Sequence, residues 1–180
     1  QEQSRQVSLD SVTYLGKVYS FFGASPRPLP CTAKGGCFAE DSRGRWYVCF
    51  WVEVSGDSCH GNKEQGLDLG LKDLVTTSDG VKYENPTFVR KSEQKLKVAQ
   101  RANNKKQVRN IHAKIENQRK DYLHKLSTKL VNESSLIIVG NVKTPPGLNG
   151  MQKSCLDASW GSFRSMLRYK ASRHGVRYLE

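Results

Sequence analysis

Residues 66–80, GLDLGLKDLVTTSDG, constrain the fold of this chain more than any other stretch. Leu67 and Leu69 alternate with a single carboxylate, Asp68, inside a Gly66…Gly70 frame. A second β-like run, Leu74-Val75-Thr76-Thr77, follows, and Ser78-Asp79-Gly80 reads as a tight turn. The pattern predicts the opening hairpin of a sheet. An aspartate in the middle of a first core strand is costly to bury unless it is paired or binds a cation. Asp68 is therefore the candidate catalytic and metal-binding residue; a strand-end aspartate capping a turn is the simpler alternative.

Charge narrows the class of partner. Lys plus Arg number 29 against 17 Asp plus Glu, a formal charge of +12 over 180 residues. That excess points first to nucleic acid. No apolar run approaches the ~18 residues that a spanning helix needs, so no membrane partner is expected. The five cysteines, Cys31, Cys37, Cys49, Cys59 and Cys155, are irregularly spaced and contain no C-x-x-C pair. This argues against a structural zinc site among them and against a disulfide scaffold, and predicts reduced thiols in a cytoplasmic chain. The absence of an initiator Met, and a last stretch (Arg177-Tyr178-Leu179-Glu180) that looks like the inside of a strand, make the chain read as a piece of a longer protein.

Most of the charge sits in one place. Residues 90–133 carry apolar positions at Leu96, Ala99, Val108, Ile111, Ile115, Tyr122, Leu126 and Leu130, a helical spacing. Ala102-Asn103-Asn104 predicts a turn, hence a helical hairpin. Residues 90–129 hold thirteen cations and three carboxylates. That bias is too one-sided for salt-bridge lacing and points to phosphate contact, with Arg101, Lys105, Lys106, Arg109, Lys114, Arg119, Lys120 and Lys125 as the candidate nucleic-acid-binding residues. With ~6 phosphate contacts, affinity should fall by about 10³ between 50 and 200 mM salt.

Elsewhere the elements alternate. Residues 7–54 are strand-rich, with a hairpin expected across Asp41-Ser42-Arg43-Gly44 between residues 36–40 and 45–54, and a polar linker at 55–64. In that hairpin half of the run containing Trp46, Tyr47, Phe50 and Trp51 should be core, and the rest could stack on bases. Ser135–Val139 is a continuous apolar run that fits a buried central strand. A loop over 143–154 precedes a helix starting at Asp157, with Phe163, Met166, Leu167 and Tyr169-Lys170-Ala171 on its inner face, ended by His174-Gly175 before a strand at 176–179. Hairpin-linked strands followed by alternating helix and strand predict an α/β sheet of the ribonuclease H type.

Several of these segments resemble one family. Gly66–Asp73 with Thr77-Ser78-Asp79-Gly80 resembles the first RuvC motif of transposon-encoded TnpB (OrfB) proteins. Residues 111–115, 118–127 and 157–164 resemble later segments in the same order, and Gly44-Arg45-Trp46-Tyr47-Val48 is similar to the end of the family's wedge-type β-barrel. The resemblance implies the C-terminal part of that barrel over residues 1–61 and a truncated RuvC, ribonuclease H-like domain over 62–180, with the basic hairpin at 90–133 inserted. It implies an RNA-guided DNA endonuclease, with guide RNA and DNA as partners in a prokaryotic, nucleoid-associated setting, and a site of three carboxylates holding two Mg²⁺ ions. Asp68 matches the first carboxylate. Gly140 stands where the second, a Glu, is expected. The third carboxylate and a four-cysteine zinc ribbon are expected past residue 180, so the chain as given is not expected to cut DNA. Gly140 is open to three readings: an inactivated protein that still binds RNA and DNA, a role taken over by another carboxylate, or a decayed gene.

An actin-like or sugar-kinase ATPase also opens on a Gly-x-Asp-x-Gly strand. The charge distribution and the lack of a second Gly-rich phosphate loop argue against it.

Overall fold

The computed structural model describes residues 11–14, 16–20, 33–53, 61–140 and 159–180. The chain divides into two compact units, residues 1–54 and 55–180. The expected loop at 143–154, Asp157, and Cys31, Cys59 and Cys155 lie outside the described residues.

The first unit holds two antiparallel pairs. Strand β1 (Ser11–Tyr14) pairs with β2 (Lys17–Ser20), and β3 (Ala33–Glu40) pairs with β4 (Trp46–Val52). The predicted turn closes the second pair. Gly44 adopts a φ of 78° and donates to the Asp41 carbonyl at 3.0 Å, while Asp41 Oδ1 accepts from the Arg43 and Arg45 amides at 2.9 and 3.0 Å. These bonds, the backbone of Arg45 foremost, hold the Asp41 carboxyl below the usual carboxylate range. The aromatic run departs from expectation: Trp46, Tyr47 and Trp51 are 67, 45 and 61% exposed. A two-stranded ribbon has no second layer to receive them among the described residues.

The second unit is a five-stranded mixed sheet in the order β7-β6-β5-β8-β9. It comprises β5 (Lys63–Leu69), β6 (Asp73–Thr77), β7 (Lys82–Glu84), β8 (Ser134–Val139) and β9 (Arg177–Leu179). β5, β6 and β7 form an antiparallel meander, and β8 and β9 run parallel to β5. The expected linker at 55–64 is shorter at its end than predicted, because Lys63 and Glu64 pair with Ser134 and Leu136 in the β5–β8 ladder.

Helix α1 (Phe88–Arg101) and helix α2 (Lys105–Glu133) make the predicted hairpin. Asn103 at φ 50° turns the chain, and Asn104 caps α2 by accepting from the Gln107 amide at 3.0 Å. Helix α3 (Trp160–His174) ends on Gly175 in the left-handed region, φ 71°. Helices α2 and α3 cover one face of the sheet. Leu123, Leu126, Leu130 and Val131 of α2, with Phe163, Leu167 and Ala171 of α3, pack on Leu67, Leu69, Val75, Ile137 and Val139. Tyr169, expected on the inner face of α3, is instead 49% exposed, because the helical repeat through Phe163 and Leu167 turns Lys170 and Ala171 inward. Lys170 is buried, and its Nζ donates to the His124 carbonyl, Ser127 Oγ and Thr128 Oγ1, each at 2.7 Å, tying α3 to α2. No helix of the described residues is long and apolar enough to cross a membrane.

Candidate nucleic-acid interface

Strand direction fixes where the candidate residues meet. β5 and β8 are parallel, so Asp68 and Gly140 both lie at the carboxyl ends of the two central strands. The Gly140 amide donates to the Leu67 carbonyl at 3.0 Å, and a Cβ built on Gly140 would lie 4.0 Å from Asp68 Oδ1. Across the sheet, Asp68 is in register with Thr76, and Thr76 with Lys82. This edge therefore carries the row Gly140, Asp68, Thr76, Lys82. Thr76 and Lys82 were not legible as site residues, though the β-alternation from Asp68 through the predicted turn places Thr76 beside it.

Asp68 is not a buried carboxylate. It is exposed, while Gln65, Leu67 and Leu69 are buried. Alternation along β5 turns the odd positions toward the helices and leaves Asp68 on the side of the sheet that α2 and α3 do not cover, so the desolvation cost expected from the sequence does not arise. The Asp68 side chain has no hydrogen bond or ion pair among the described residues. Trp160 is buried and its Nε1 donates to the Gly70 carbonyl at 3.2 Å, fixing the start of α3 against the turn that follows Asp68.

The basic hairpin rises from the same edge. The C-terminal end of α2 is tied to the opposite edge: the Gly61 amide donates to the Asn132 carbonyl at 2.7 Å, and Lys63 pairs with Glu133 at 3.5 Å. Eleven residues earlier, Tyr122 Oη donates to the Glu84 carbonyl at 2.8 Å, and Glu84 is the register partner of Asp73 at the Asp68 edge. Helix α2 thus crosses the whole sheet between Glu133 and Tyr122. At 1.5 Å per residue, residues 105–121 continue for about 25 Å past the Asp68 edge. Helix α1 runs beside them, with Ala99 and Ile115 buried in the hairpin.

The overhang changes the chemistry of one face of α2. Below the edge that face is Leu123, Leu126, Leu130 and Val131, buried on the sheet. Helical steps upward from Leu123 reach Arg119, Glu116, His112, Arg109 and Lys105. The stripe that is apolar over the sheet becomes cationic where there is no sheet beneath it.

Ion pairing sorts the predicted cations. Lys120 pairs with Glu116 at 2.8 Å and Lys125 with Asp121 at 2.7 Å, and Lys97 takes Glu93 at 3.3 Å. The Lys120 hydrogen bond holds the Glu116 carboxyl below its ordinary range. Those pairs use all three carboxylates of residues 90–129. Arg101, Lys105, Lys106, Arg109 and Lys114 have no carboxylate partner among the described residues. Arg119 is only half-exposed and makes interactions of its own.

A magnesium pair does not fit the described residues. Among them there is no group of three or more His, Cys, Asp or Glu able to hold a metal ion, and Asp68 faces a glycine. One carboxylate does not organise two divalent ions.

Comparison with known proteins covers most of the chain. A family model described as "Probable transposase", of the OrfB type, matches residues 47–146. A Streptomyces pristinaespiralis protein named "Putative RNA-guided DNA endonuclease" is 36% identical over 166 residues, covering 83% of this chain and 41% of that protein. An Escherichia coli K12 protein named "Putative RNA-guided DNA endonuclease InsQ" is 30% identical over 169 residues, covering 77% of this chain and 42% of that protein. The chain spans about two-fifths of the length of these curated relatives.

Proposed function

The chain belongs to the OrfB (TnpB) family of transposon proteins, and from that premise we propose that it is the nucleic-acid-gripping portion of an RNA-guided DNA-binding protein. One observation carries the reading: five cations with no carboxylate partner among the described residues, on a helical hairpin that overhangs the sheet edge bearing Asp68. Phosphate contacts from such a ridge supply affinity without reading sequence, which suits a protein whose specificity comes from a guide. In this reading residues 62–180 are the RuvC-like domain and residues 1–61 the end of the wedge-type barrel. Exposed Trp46, Tyr47 and Trp51 offer faces on which bases could stack. Asp68 takes the position of the family's first metal-binding carboxylate, and cleavage in the longer protein depends on further carboxylates to hold Mg²⁺.

The test is fluorescence anisotropy of the 180-residue chain with a labelled RNA–DNA hybrid, and separately with a fluorescent ATP analogue. Tight hybrid binding that weakens steeply with salt is expected. ATP binding without hybrid binding would overturn the reading in favour of a kinase-like ATPase.

A further inference from the structure

Two cysteines face each other across the β3–β4 ribbon of the first unit. Cys37 of β3 is the register partner of Cys49 of β4, and both are free and exposed. Register partners in an antiparallel pair project from the same face, with Cα atoms ~4.5–5.5 Å apart. That separation lies inside the ~4.4–6.8 Å that a disulfide spans. Alternation puts Tyr47 and Trp51 on either side of Cys49 on this face, opposite Ala39 and Gly35. Neither ring is left to cover the thiols. The Tyr47 hydroxyl reaches to the turn, donating to Asp41 Oδ2 at 3.3 Å, and the Trp51 ring lies against Gly35, where a Cβ would strike it. Beside Cys37 this face of β3 carries only the small residues Gly35 and Ala39.

We propose that Cys37 and Cys49 form a reversible modification site: small disulfides of the glutathione class oxidise the pair to a cross-strand bridge, and small thiols reopen it. One cysteine thiolate attacks a sulfur of the small disulfide, forming a mixed disulfide and releasing one small thiolate. The facing thiolate then attacks the protein sulfur of that mixed disulfide, closing the Cys37–Cys49 bond and expelling the second small thiolate. The cysteine pair loses two electrons, the small disulfide gains them, and the two thiol protons pass to the departing thiolates. Exposure opens both sulfurs to attack. Register holds the second thiol beside the first, so the mixed disulfide resolves without a search by the chain. Facing Cβ atoms ~4.5–5.5 Å apart must close to about 3.8 Å in the bridge. The strands therefore accept the bond by a small local adjustment, and the reduced thiols expected from the sequence are the resting state. The bridge closes a loop over the Asp41–Gly44 turn and ties β3 to β4 on the face that carries Tyr47 and Trp51. The site lies in the first unit, and its chemistry does not depend on the nucleic-acid reading.

The test equilibrates the 180-residue chain in glutathione buffers of graded redox ratio, with and without concentrated urea, alkylates the remaining thiols and maps the product by mass spectrometry. Trypsin cuts after Lys34, Arg43, Arg45 and Lys63, so the bridge joins peptide 35–43 to peptide 46–63, and chymotrypsin, cutting after Phe50 and Trp51, separates Cys49 from Cys59. The Cys37–Cys49 link should be the product in the folded chain. Its exchange constant with glutathione should be at least about tenfold larger there than in urea, because only the fold holds the two thiols together. Cys37→Ser should leave Cys49 as a mixed disulfide with glutathione, since no facing thiol remains to resolve it. Equal constants in the folded and unfolded chain would overturn the proposal. So would separate glutathione adducts on Cys37 and Cys49 in the folded chain, or their linkage to Cys31, Cys59 or Cys155 instead of to each other.

Discussion

Replacing Gly61 by alanine adds one methyl group at a junction that has no room for it. The new Cβ would sit 2.1 Å from Glu133 O, 2.3 Å from its carbonyl carbon and 2.7 Å from its Cα. All three are backbone atoms, so no rotamer change relieves the clash. The chain must move, and the movement strikes the 2.7 Å hydrogen bond from Gly61 to Asn132 that ties the start of β5 to the end of α2. Overpacking of this kind costs ~1–3 kcal/mol, and the lost hydrogen bond adds ~1 kcal/mol. Gly61→Ala should therefore destabilise by about 2–4 kcal/mol, or about 10 °C in Tm for a chain of this size. Gly140→Ala is the matched control. With its nearest contacts at 3.7 and 4.0 Å and an unstrained φ, it should change stability by less than ~0.5 kcal/mol, or raise it slightly by restricting the unfolded chain. Urea denaturation followed by circular dichroism reads both. Equal losses at the two positions, or a neutral Gly61→Ala, would refute the steric argument.

Two further substitutions probe what positions the edge. Trp160→Phe keeps the ring but removes the Nε1 bond to the Gly70 carbonyl, and should cost about 1 kcal/mol in urea denaturation; Trp160→Ala should cost ~3–5 kcal/mol, since a large buried side chain is lost. Lys170→Met leaves the His124 carbonyl, Ser127 and Thr128 without their shared donor, and should cost ~1–3 kcal/mol and speed amide exchange in the facing turns of α2 and α3. A neutral Lys170→Met would show that the buried ammonium does not tie the helices together.

Local patterns in the sequence were enough to find the elements. Leu67 and Leu69 alternate with Asp68, and they are buried while it is not. Ala102-Asn103-Asn104 breaks the helical pattern, and the hairpin turns there. What the sequence could not show was which side of the sheet the helices would cover. Period-2 alternation separates two faces without saying which is buried, so Asp68 was read as a core aspartate. The missed features of α2 have the same origin. Leu123 and Arg119 lie on one helical face, and only the position of the sheet edge makes the first core and leaves the second half-exposed. Lys120 and Lys125 stand i,i+4 from Glu116 and Asp121, so their pairing is legible in the sequence, whereas a count of charges pools them with the cations that have no carboxylate partner among the described residues. The proximity of Gly140 to Asp68 followed from the resemblance; the parallel β5–β8 register now supplies it independently.

The account turns on the overhanging cations gripping phosphate, and the salt dependence of hybrid binding tests that most directly. Log affinity against log salt is measured by anisotropy for the unsubstituted chain, for Arg101→Gln/Lys105→Gln/Lys106→Gln/Arg109→Gln/Lys114→Gln, and for Lys120→Gln/Lys125→Gln. Each lost phosphate contact should reduce the slope by ~0.7–0.9, so the fivefold variant should lose about 4 from it and the doubly substituted one, whose lysines are already paired, less than about 1. An unchanged slope in the fivefold variant, or a larger loss in the doubly substituted one, would contradict the account.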